Sequence, residues 1–126
     1  ERRRQNADRY RALITEHGLD DLVRVPVDVE DRHTYHQFSL LTDESRRDHV
    51  VKSLRDQQIG CGIYYPIPLH LQPCFDSLGH GHGEFPIAER LALENFALPI
   101  FPGLRDDEAD EVIRAVATAV RQEAPA

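Results

Sequence analysis

An α+β fold, a two-layer sandwich of three or four short strands with helices mainly on one face, is what this 126-residue sequence predicts. Three observations predict it. Apolar residues recur at helical spacing near both ends, with Ala7, Tyr10 and Ile14 in one stripe and Ala109, Val112, Ile113, Val116 and Val120 in another. Residues 34 to 41 alternate in the two-residue period of a strand. Short runs at 61 to 65 and 97 to 101 are bounded by glycine or proline and are too brief for helices.

The elements follow in order. Residues 1 to 17 read as a helix that Gly18 stops. Val23, Val25 and Val27 suggest an edge strand, because Pro26 has no N–H to give a ladder. Glu30 to His33 would turn the chain into the strand 34–41, which places His36, Phe38 and Leu40 on one face and Tyr35, Gln37 and Ser39 on the other. Thr42 or Asp43 caps a helix that ends at Gly60. Cys61 to Tyr65 is the third strand, and a right-handed crossover is expected if it lies parallel beside the second. A short helical turn follows Pro73 and stops near Gly79. Pro86 opens a helix over 86–96, Ala97 to Phe101 is extended, and 105–122 is the last helix.

Composition narrows the function classes. The length suits one domain with one core. No apolar run approaches the ~20 residues of a membrane helix, and no signal-peptide pattern opens the chain, so a soluble, cytoplasmic domain is expected. A net charge of −7 disfavours nucleic acid as a partner. Arg2, Arg3, Arg4, Arg9 and Arg11 make the first helix basic, which a solvated face explains. Asp106, Asp107 and Glu108 complement the positive end of the last helix. Cys61 and Cys74 read as small buried hydrophobes rather than a bridge. His80 and His82 could share a metal, but the three glycines around them favour a polar loop, and no metal is expected.

Gly60 to Pro73 concentrates the chemistry. Pro66, Pro68 and Pro73 stiffen a path that aims Tyr64, Tyr65, His70 and Gln72 in set directions. A stiff loop loses less entropy when it meets a ligand, so this is a candidate binding edge. His36, on an apolar strand face, is either a hydrogen-bonded core residue or a ligand contact.

The run Gly-Ile-x-Tyr-Pro-x-Pro-Leu-His-x-Gln-Pro resembles a signature of the DegT/StrS-type nucleotide-sugar aminotransferases, which use pyridoxal phosphate. Gly83-Glu84-Phe85-Pro86-Ile87-Ala88-Glu89, Leu98-Pro99-Ile100-Phe101-Pro102-Gly103-Leu104 and Thr34-Tyr35-His36-Gln37-Phe38 are similar to three further segments of that family, in the same order. The opening Arg-rich helix is also similar to the one that leaves the family's large domain. All of these belong to the family's small C-terminal domain.

The resemblance therefore implies that 1–126 is one such domain with the N-terminal cofactor domain absent. It implies a nucleotide-sugar substrate, the chain's own N-terminal pyridoxal-phosphate domain as partner, and a homodimer in the parent. It places Tyr65 at the mouth of the active site, counts its neighbour Tyr64 among the substrate-binding residues, has His70 and Gln72 support or share that region, and sets His36 at the interdomain face. Tyr64 departs from the family, which commonly has histidine there, so a group titrating near neutral pH is replaced by a phenol. Pyridoxal-phosphate chemistry needs a Schiff-base lysine, and Lys52, the sole lysine, points away from its helix's apolar side. No catalytic residue and no bound cofactor are expected in this chain by itself. The alternative is a free-standing small-molecule-binding or protein-interaction module.

Overall fold

Phe38–Leu41 (β1) and Asn95–Leu98 (β2) pair antiparallel at the centre of the computed structural model, with Phe38 opposite Leu98 and Leu40 opposite Phe96. The structure describes residues 1–29 and 32–122. Around this pair run α1 (Arg2–Glu16), α2 (Glu44–Asp56), α3 (Pro86–Glu94) and α4 (Asp106–Arg121), with two 3-10 turns at Leu69–Leu71 and Pro73–Leu78.

The sheet is narrower than the three or four strands expected. The first and third predicted strands each reach it through a single bridge, Arg24 to Leu41 on one edge and Gly62 to Ala97 on the other, both antiparallel. Pro26 cannot donate beyond the first bridge. Past the second, Tyr64 leaves the ladder. The third segment pairs with β2 rather than with β1, so the parallel neighbours that would have required a right-handed crossover do not occur.

Phe38, Leu40, Phe96 and Leu98 form one sheet face, buried with the stripes of α1, α2 and α4 in a single core. Ala7, Tyr10 and Ile14 enter it from α1, and the five expected residues enter it from α4. Tyr10 shows how tightly this layer closes. Its ring meets Phe38 at 5.3 Å, its hydroxyl donates to the Pro99 carbonyl at 2.7 Å, and burial raises its pKa beyond the ordinary phenol range.

Helix ends follow local chemistry. Gly18, at φ +60°, takes the left-handed position after α1, where Leu19 N–H returns to the Ile14 carbonyl. Asp43, one of the two expected caps, accepts from Ser45 N–H at 2.9 Å. Gly60 does not stop α2. Gln58, at φ +61°, takes the left-handed position two residues earlier, with Ile59 N–H bonded to the Leu54 carbonyl. Likewise α3 ends at Glu94 and the extended segment starts at Asn95, two residues before the expected Ala97.

Two further expectations change. The strand expected from residue 34 begins at Phe38, because Tyr35 adopts φ +45° and reverses the alternation. Tyr35 is therefore buried on the Phe38 side and His36 is exposed. Tyr35 is held there by Arg11, which donates to its hydroxyl at 2.6 Å, and by Asp28, which accepts from it at 3.0 Å. Cys74 is exposed on the second 3-10 turn, while Cys61 is half-buried, its thiol pKa raised by that burial. The expected turn at 30–33 lies partly outside the described residues, as Glu30 and Asp31 are not among them.

Candidate binding face on the second side of the sheet

The second sheet face carries Ser39, Leu41, Asn95 and Ala97, the first two half-buried and the last two buried. Ser39, Leu41 and Asn95 floor a shallow hollow of about 360 Å³. Tyr64, Tyr65, Ile67 and Leu69 of the proline loop form one wall, and Ala88 and Leu91 of α3 form the other. Mostly apolar walls with a few polar groups are the usual make-up of a small-molecule site.

Tyr64 is placed from two sides. Its backbone N–H donates to Asn95 Oδ1 at 2.7 Å, and its ring lies on Gly62, where an added Cβ would come within 2.7 Å of Cε2. The Tyr64–Tyr65 peptide bond is cis. The two rings meet edge to face at 5.8 Å, and Tyr65 projects outward, 68% exposed. Gln72 donates to the Ile67 carbonyl at 3.2 Å and thereby closes the proline loop on itself.

His70 is not at the mouth. Its side chain is 8% exposed and packs behind the wall, with Nε2 3.1 Å from Glu89 Oε1 and its ring 4.7 Å from Phe85. His36 opens onto a neighbouring hollow of about 380 Å³ bounded by Gly60, Gly62 and Pro99, and Tyr64 lines both hollows. The five sequence candidates thus separate. Tyr64, Tyr65 and Gln72 line one hollow, His36 shares only Tyr64 with them, and His70 supports from beneath.

Three residues that sequence reasoning passed over hold this arrangement. Glu89 accepts from Gly83 N–H at 2.8 and 3.0 Å and from Phe85 N–H at 3.4 Å, besides His70. Partial desolvation pushes its pKa up, but those donors prevail and hold the carboxyl below its usual range. Asn95 takes the Tyr64 N–H. Arg47, 7% exposed, donates through Nη1 to the carbonyls of Ala92 and Asn95 at 2.9 and 3.1 Å. Arg47 was detectable, since it falls on the Val50–Leu54 stripe of α2 and a charge there requires a buried partner. Glu89 lies in a matched segment, but its reach back to Gly83 is tertiary.

The chain's fit to a covalently held cofactor is poor. Lys52 is 75% exposed, and its Nζ is 2.5 Å from Asp56 Oδ2, so it offers no desolvated amine. Among the described residues, no group of three or more His, Cys, Asp or Glu is arranged to hold a metal. None of the described helices is long and apolar enough to cross a membrane.

Residues 1–117 match the family described as DegT/DnrJ/EryC1/StrS aminotransferase family. A pleiotropic regulatory protein of Geobacillus stearothermophilus is 39% identical over 122 residues, which is 96% of this chain and 32% of that protein. A dTDP-3-amino-3,4,6-trideoxy-alpha-D-glucose transaminase of Micromonospora megalomicea subsp. nigra is 40% identical over 119 residues, 90% of this chain and 30% of the relative. The crystal structure of S. venezuelae DesV, in complex with a ketimine intermediate, superposes with a TM-score of 0.77 at 32% identity. That match covers 92% of this chain and 32% of DesV. The chain spans about a third of the length of these relatives.

Proposed function

The chain belongs to the DegT/DnrJ/EryC1/StrS aminotransferase family, and from that premise we propose that it is the small C-terminal domain of a cytoplasmic, pyridoxal-phosphate-dependent sugar aminotransferase. In this reading it lines the entrance for a nucleotide-linked keto sugar, packs on a cofactor domain and functions within a homodimer. The Micromonospora relative and DesV support the substrate class, each being named for or captured in transamination chemistry.

One observation carries the reading. The proline loop holds Tyr65 open beside an apolar hollow on the second sheet face. A tyrosine there offers a ring to a sugar or base face and a hydroxyl to its polar edge, at little entropic cost because the loop is already stiff. Tyr64, Tyr65, Ile67, Leu69 and Leu91, all lining this hollow, are exposed, and such surface is characteristic of a face that docks on another body. That body is the cofactor domain.

Pyridoxal phosphate, when bound, supplies the electron sink for amino transfer. This chain contributes neither its lysine anchor nor a transfer step. Its residues shape and partly dry the substrate entrance. The test is spectroscopic. The purified chain mixed with pyridoxal phosphate is expected to show only the weak, unsaturable absorbance of an exposed amine. A saturable, stoichiometric aldimine band would overturn the assignment of the cofactor to another domain.

A further inference from the structure

Asn95 is a polar residue in a buried strand position, 4% exposed, where an apolar side chain would pack without needing partners. Its placement explains its use. Gly62 and Ala97 exchange both backbone hydrogen bonds, N to O at 3.3 and 2.7 Å. Two residues further along each segment stand Tyr64 and Asn95, where the next such pair of an antiparallel ladder would fall. The rung is not made from backbone. The Asn95 carbonyl is taken by Arg47, and the Asn95 side-chain Oδ1 accepts the Tyr64 N–H in its stead at 2.7 Å.

The rest of the amide is equally committed. Nδ2 donates to the Leu91 carbonyl at 2.7 Å and reaches the Ala92 carbonyl at 3.5 Å, so the amide orientation is set by a donor on one side and acceptors on the other. Arg47 ties the same Ala92 carbonyl to α2 at 2.9 Å. The loop and α3 thus meet at one side chain while α2 braces the backbone beside it, and that side chain decides where the loop departs from the sheet. On the far side, Gly62 leaves room for the Tyr64 ring and for nothing larger than hydrogen.

We propose that Asn95 is the positioning residue of the tyrosine bend: by standing in for a backbone rung it fixes Tyr64, and through Tyr64 the place of Tyr65 at the mouth of the hollow. The inference deepens the reading of this loop as a substrate wall and rests on it for its functional meaning.

Amide hydrogen exchange on the 126-residue chain tests the placement directly. Asn95→Ala is expected to speed exchange at the Tyr64 N–H about tenfold, the effect of losing one buried hydrogen bond. The Ile113 amide in α4 is expected to keep its rate, showing an intact core. Asn95→Asp is expected to restore protection at Tyr64 only where its carboxyl is protonated, because then one oxygen accepts the Tyr64 N–H and the O–H donates to the Leu91 carbonyl in place of Nδ2. A Tyr64 rate unchanged in Asn95→Ala, or one that rises only in step with Ile113, overturns the proposal. Thymidine diphosphate serves as the probe for the reading beneath it. It is expected to shift the Tyr65 amide resonance in the unsubstituted chain and to shift it less in Asn95→Ala. No shift alongside the expected exchange pattern would remove the substrate-wall reading and leave the positioning role standing.

Discussion

His70 and Glu89 join the proline loop to α3 through a 3.1 Å contact between imidazole Nε2 and carboxylate, both side chains largely shielded from water. Glu89 is the busier partner. It also gathers the N–H groups of Gly83 and Phe85, so one carboxylate holds two loops against the start of one helix. His82 adds a longer contact at 3.8 Å.

The pH dependence of this clamp follows from its sign. The folded-state pKa of Glu89 is lowered, so its stabilisation is fully present above the ordinary carboxylate range and is lost as pH falls through the folded-state value. Acidification is therefore expected to free the 79–85 loop before the core melts. Protection of the Gly83 N–H, its exchange rate taken relative to the intrinsic rate at each pH, should fall on going downward from about pH 6 while Ile113 stays protected. Glu89→Gln should accelerate Gly83 exchange at neutral pH and flatten the acid dependence. An acid dependence unchanged in that variant would assign the clamp elsewhere.

Gly62 is expected to tolerate no side chain while Tyr64 is present. A Cβ would stand 2.7 to 2.8 Å from three atoms of the Tyr64 side chain, so either the ring or the bridge to Ala97 must shift. Overpacking of this kind costs about 1–3 kcal/mol. Gly62→Ala should lower stability to urea by that amount in the unsubstituted chain and much less in a Tyr64→Ala background. Additive losses in the double variant would show that the two side chains do not compete for the same space.

How much of this was legible in the sequence depends on whether an element answers to local or tertiary chemistry. The stripes of α1 and α4 were readable because their inward positions are apolar apart from Asn6, which donates to the Phe101 carbonyl, and Gly18 because a left-handed helix stop favours glycine. Gln58 was not, since a glutamine there is left-handed only because the turn after α2 demands it. Tyr35 misled for a similar reason. Its alternation with Phe38 is broken by a left-handed residue that Arg11 and Asp28 reward with hydrogen bonds from other parts of the chain. At the site, the three prolines mark the loop that carries Tyr64 and Tyr65, and both side chains line the hollow. The direction of His70 was hidden, because its partner Glu89 lies nineteen residues away.

Arg47→Met is expected to be among the more damaging single changes in α2. The methionine fills the space, yet the Asn95 carbonyl loses its donor and the Ala92 carbonyl keeps only the 3.5 Å contact from Asn95 Nδ2, where water has little access. Each buried acceptor left unpaired costs about 1–3 kcal/mol, so a total near the upper end of that range is expected in urea unfolding. Asp48, whose contact with Arg47 Nε is at the surface, contributes little by comparison, and Asp48→Asn should change stability by less than about 1 kcal/mol. Equal losses from the two variants would move the weight from the buried carbonyls to the ion pair.

Tyr65→Ala separates function from folding. The ring is 68% exposed and packs mainly on its neighbour Tyr64, so its removal should change the stability of the chain by no more than about 0.5 kcal/mol. In an aminotransferase that carries this domain, the same change is expected to raise KM for the nucleotide sugar about tenfold and to leave kcat nearly unaltered. That is the pattern of an interaction made equally in the ground and transition states. Tyr65→Phe keeps the ring and loses the hydroxyl, so a KM near the unsubstituted value would assign the contribution to stacking, and a KM near that of Tyr65→Ala would assign it to the hydroxyl. Unchanged kinetics in both variants, with the fold intact, would take Tyr65 out of the substrate path.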